Sequence, residues 1–103
     1  MDRPPAAQFA SVARRLGSAT RAAGLTVPVF RTPPRRPGAP RTIRRLPGGP
    51  VVAVALRGRA FCDVVGDMVD GVIAANRLSG EAEARVRNAL LAAVQNPPGS
   101  AAA

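Results

Sequence analysis

Ten residues, Arg31–Pro40, limit every arrangement open to this chain: they read Arg-Thr-Pro-Pro-Arg-Arg-Pro-Gly-Ala-Pro. Each proline lacks a backbone donor and holds φ near the value of an extended or turn conformation. A stretch with four of them can be neither a helix nor a central strand. No apolar periodicity in it asks for burial. The sequence therefore predicts an exposed, extended loop over 31–41, with secondary structure forming on either side.

Before the loop, Ala6–Ala23 has helical periodicity. Phe9, Val12, Ala13, Leu16, Thr20 and Ala23 fall on one face, and Ser11, Arg14, Ser18 and Arg21 on the other. Pro4 and Pro5 suit the first turn, and Gly24 suits the C-terminal cap. Leu25–Phe30 follows as a short strand, and Pro28 restricts it to a sheet edge.

After the loop, Thr42–Leu46 and Val51–Leu56 flank Pro47-Gly48-Gly49-Pro50, turn chemistry that predicts a β-hairpin. Val51–Leu56 is apolar on both alternations, which predicts a central strand covered on both faces. Thr42–Leu46, with Arg44 and Arg45, is expected at the other edge. Ala60–Asn76 reads as a second helix. Its face of Phe61, Val64, Val65, Met68 and Val72 is widened by Cys62, Val69 and Ile73 to about half the circumference. Asp63, Asp67 and Asp70 fill the remainder. Ser79 suits the N-cap of a third helix, Glu81–Gln95, which has Glu81 and Glu83 in its first turn and Val86, Leu90, Ala93 and Val94 on its buried face.

The expected fold class is α+β: three short antiparallel strands (a hairpin plus an edge strand) with three helices, in the order α-β-β-β-α-α. A chain of 103 residues suits one domain. That domain is placed at 6–95, with disordered ends at 1–5 and 96–103.

Charge is concentrated in the middle of the chain. Between positions 31 and 59 there are eight arginines and no acidic residue: Arg31, Arg35, Arg36, Arg41, Arg44, Arg45, Arg57 and Arg59. They would line the loop, one hairpin strand and the end of its partner, a surface suited to phosphate contact. The competing reading is a solvated loop whose arginines pair with the Asp63, Asp67 and Asp70 stripe. All fifteen basic residues are Arg, which fits bidentate phosphate or carboxylate recognition and equally fits biased codon usage. With no Trp or Tyr, stacking on unpaired bases is disfavoured.

Catalytic chemistry finds little support. There is no His, and Cys62 is the single cysteine, so neither a disulfide within the chain nor a zinc site is expected. Cys62 lies on the apolar arc, where a buried, inert thiol is expected. Pro47-Gly48-Gly49-Pro50 fits neither a phosphate-binding loop nor a dinucleotide fingerprint. Pro34 and Pro37 make a Pro-x-x-Pro spacing that Pro-rich sequence generates by chance. No catalytic residue, metal ligand or cofactor is assigned. No run of apolar residues is long enough for a membrane span, and the composition suits a cytoplasmic setting.

The sequence thus points to a small basic non-enzymatic binding protein. Its arginine-rich central segment would contact an anionic partner, nucleic acid first and an acidic protein second. The alternative is a protein–protein adaptor docking on a larger assembly through an apolar helix face. A homodimer is expected, with Cys62, Val69 and Ile73 at its seam, because the apolar arc is wider than one packing surface requires.

Overall fold

The computed structural model describes residues 5–32, 41–56 and 58–95. Its elements are α1 (Pro5–Ala22), β1 (Val29–Arg31), β2 (Arg41–Leu46), β3 (Gly49–Val54), α2 (Phe61–Ala75) and α3 (Gly80–Gln95). The α-β-β-β-α-α order and the α+β class agree with the sequence reading. The expectations for the two ends, 1–5 and 96–103, and for the 31–41 loop fall largely outside the described residues. Within them, Pro5 opens α1, Arg31 closes β1 and Arg41 opens β2.

The strands form one sheet in the order β1-β3-β2. Leu46 pairs with Gly49 around Pro47 and Gly48, so the hairpin forms where the turn residues place it. Gly49 has φ +119°, a conformation that L side chains rarely adopt, and this admits the tight return. β3 is central, with Ile43 of β2 beside Val52 on one side and Phe30 of β1 beside it on the other. β1 runs parallel to β3, so the sheet is mixed and the all-antiparallel expectation is corrected. β2 joins the other edge of β3 and runs opposite to β1. A short edge strand carries no side-chain signal for the polarity of its neighbour.

The pleat of β3 separates two environments. Val52 and Val54 are fully buried and face the helices. α2 lies against this face, and the missing side chain of Gly71 lets its backbone come close to Val52. α1 and α3 pack on α2 and on each other. The core joins Val12 and Leu16 of α1, Val64, Val65, Met68, Val69, Val72 and Ile73 of α2, and Leu90 and Val94 of α3 to the two valines of β3. The arc on α2 is wide because the sheet occupies one side of it and the other helices occupy the rest. On the opposite alternation, Val51 and Ala53 are only partly buried. The layers are therefore helices on one sheet face, with no described helix on the other. Among the described residues β3 has helices over one face, where cover on both sides was expected.

Two helix ends share one capping device. After α1, the Gly24 N–H donates to Arg21 O and the Leu25 N–H to Thr20 O, the paired bonds of a Schellman motif with Gly24 at φ +76°. After α2, the Arg77 N–H donates to Ala74 O and the Leu78 N–H to Ile73 O, with Arg77 at φ +53°. Asn76, next to that turn, clasps the strand approach. Its Oδ1 accepts from the Thr26 N–H at 2.8 Å, and its Nδ2 donates to Thr26 O at 2.9 Å.

Candidate anion-binding face

Residues side by side in a sheet present their side chains on the same face, and neighbours along a strand present them on opposite faces. Val29, Val51 and Arg44 are register partners across the three strands. Arg31 and Ala53 are partners in the next row on that face. Val52 is buried under α2, so these two rows occupy the face turned away from the helices. Arg31 and Arg44 are both exposed. Neither has a carboxylate partner among the described residues.

The other arginines of the segment are placed differently. Arg45 falls on the helix-facing alternation and reaches the end of α2. Its Nη2 donates to Ala74 O at 3.1 Å and its Nη1 to Ala75 O at 3.5 Å, which satisfies carbonyls that a helix end leaves free. Arg59 is partly buried. Its Nη1 donates to Ala55 O at 3.0 Å and lies 2.6 Å from Asp67 Oδ2. That Asp67 oxygen is buried and makes no hydrogen bond, so its contact with Arg59 is close but poorly directed. Arg41 contributes backbone to β2. Arg35, Arg36 and Arg57 lie outside the described residues. The structure thus brings Arg31 and Arg44 to one open face, and it uses Arg45 and Arg59 to hold the fold.

The aspartate stripe of α2 is divided in the same way. Asp67 meets Arg59, and Asp70 accepts from Arg87 Nη1 of α3 at 2.6 Å. Arg87 Nη2 also donates to Glu83 at 3.1 Å. The hydrogen bonds from Asp70 and then Glu83 push the Arg87 guanidinium above its ordinary pKa, so it stays charged and ties α3 to α2. Asp63 is exposed. Apart from Asp2, every acidic residue lies between positions 63 and 83, on the helix side of the molecule.

The seam expected at Cys62, Val69 and Ile73 is corrected by burial. Val69 is 0% and Ile73 6% exposed within a single chain, both in the core, so they offer no surface to a second copy. Leu91, which falls outside the main face of α3, also packs against this core. Cys62 is exposed, contrary to the buried thiol expected.

A shallow groove near that turn is lined by Phe9, Val12, Leu56, Phe61, Val64 and Met68, with Gln8 and Arg59 at its rim. Its volume of about 70 Å³ holds a few waters and falls far short of a substrate pocket. Arg59, its one ionisable group, is already engaged. Among the described residues no three His, Cys, Asp or Glu side chains converge as a metal site, and no helix is long and apolar enough to cross a membrane.

Comparison with protein-family models, with curated proteins and with solved structures gives no match. Charge, burial and register are therefore what supports a functional reading.

Proposed function

We propose that this protein is a non-enzymatic binding protein that takes a polyanion, nucleic acid, on its arginine-rich central segment. The observation that carries the reading is the open sheet face. Arg31 and Arg44 stand on it without carboxylate partners among the described residues, within a stretch of eight arginines and no acid. The acidic residues of α2 and α3 lie behind the sheet, so the molecule turns a basic side outward. The reading with an apolar helix face as the docking surface loses support, because the arc of α2 is internal from Val64 to Ile73.

Contact with phosphates makes affinity fall linearly on a log–log plot against salt, as each neutralised phosphate releases counterions. Fluorescence anisotropy with labelled oligonucleotides between 25 and about 200 mM salt measures it. The expected outcome is binding that tightens steeply as salt falls and varies little with base sequence. Absence of binding to duplex and to single strands at the lowest salt would refute the reading.

A further inference from the structure

The open sheet face has a composition that discriminates among polyanions. We infer that it docks the phosphate backbone of a nucleic-acid duplex, with Arg31 and Arg44 as its contact residues. The inference rests on the nucleic-acid reading above and narrows it to one face, two residues and one form of the polymer.

A docked protein helix would want a contiguous apolar patch. Among the side chains described, the only large apolar one strongly exposed on the face is Val29, at 50%, while Val51 and Ala53 are partly buried. Anionic contact at the two arginines is therefore the stronger term, and an acidic protein partner is disfavoured. A single strand would want a stacking platform of aromatic rings. The chain has three Phe and no Trp or Tyr. Phe30 is on the helix-facing alternation beside Val52, Phe9 packs against the core, and Phe61 lies at the groove between α1 and α2. None stands on the open face. The guanidiniums of Arg31 and Arg44 are hydrogen-bond donors that serve a DNA or an RNA backbone alike, and Thr42 is the register partner of Ala53 in the row of Arg31. What remains is a face with two separated guanidiniums and no aromatic ring among its described residues, suited to backbone contact and indifferent to bases.

The spacing sets the size of the effect. Arg31 and Arg44 stand on opposite edge strands and two residues apart in register. With strands ~4.8 Å apart and a rise of ~3.3 Å per residue, their Cα atoms are about 12 Å apart. They reach different phosphates, so each counts separately in counterion release.

The experiment measures binding of the full chain to a 20-base-pair duplex DNA, the same RNA duplex and one DNA strand, for the wild type and two variants. Arg31→Ala/Arg44→Ala is expected to weaken duplex DNA binding roughly tenfold and to reduce the salt slope by about 1.8, the share of two phosphates. Arg45→Ala, checked for folding by circular dichroism, is expected to leave the slope unchanged, because that side chain is spent on α2. Each duplex is expected to bind more tightly than the single strand. Wild-type binding with no loss in the double variant would overturn the inference and leave the broader reading standing. So would equal or tighter binding of the single strand. No binding to any of the three polymers would remove both, and capture of an acidic amphipathic peptide in preference to DNA would reassign the face to a protein.

Discussion

Gly71 is the narrowest point between the helix layer and the sheet, and replacing it with Ala tests the packing directly. A Cβ added there would lie 2.7 Å from Val52 Cγ1 and 3.0 Å from Cγ2. Both methyls belong to a β-branched side chain on the central strand that is 0% exposed, so it has neither rotamer freedom nor space to retreat. In an unobstructed helix the same change would stabilise by about 0.5–1 kcal/mol, because Gly loses more backbone freedom on folding. Inserting a methyl into a filled core costs about 1–3 kcal/mol. The second effect wins, and Gly71→Ala is expected to destabilise by about 1 kcal/mol. For a domain of this length that lowers the melting temperature by roughly 4–8 °C.

Gly66 provides the internal control. It lies in the same helix, and nothing stands within 4 Å of where its Cβ would be. Gly66→Ala should therefore raise the melting temperature by a few degrees. Val52→Ala removes the two methyls in question, so Gly71→Ala should cost less in that background than in the wild type. Thermal unfolding followed by circular dichroism decides each case. A Gly71→Ala protein as stable as the wild type, or more so, would refute the close approach of α2 to β3.

Arg77→Gly should stabilise by up to about 1 kcal/mol, since Arg77 is an exposed L residue held at φ +53° and relief of that strain exceeds the extra freedom gained by the unfolded chain; urea unfolding measures it, and a less stable variant would argue against the cap geometry. Cys62 should react with a thiol reagent in the native protein nearly as fast as in denaturant, because it is exposed; strong native-state protection would restore the burial expected from its place on the apolar arc.

Helix periodicity and turn chemistry were legible because they are local. Val12 and Leu16 share a face by spacing alone, and Pro47-Gly48-Gly49-Pro50 marks a reversal whatever surrounds it. The parallel direction of β1 was not legible, since it depends on which strand β1 pairs with, and nothing in Val29–Arg31 encodes that. Nor could the sequence say what the wide arc of α2 faces. Val69 and Ile73 look the same whether they meet a second copy or the protein's own sheet and helices. The arginines show the limit most clearly. Arg44 and Arg45 are adjacent, and in sequence both belong to one basic cluster. The pleat of β2 sends them to opposite faces, so one register step leaves Arg44 beside Val51 on the open face and gives Arg45 to the carbonyls of Ala74 and Ala75. A basic segment read from composition therefore overstates the surface it offers. What an arginine can bind depends on which face its strand gives it and on which carbonyls and carboxylates have already taken its donors.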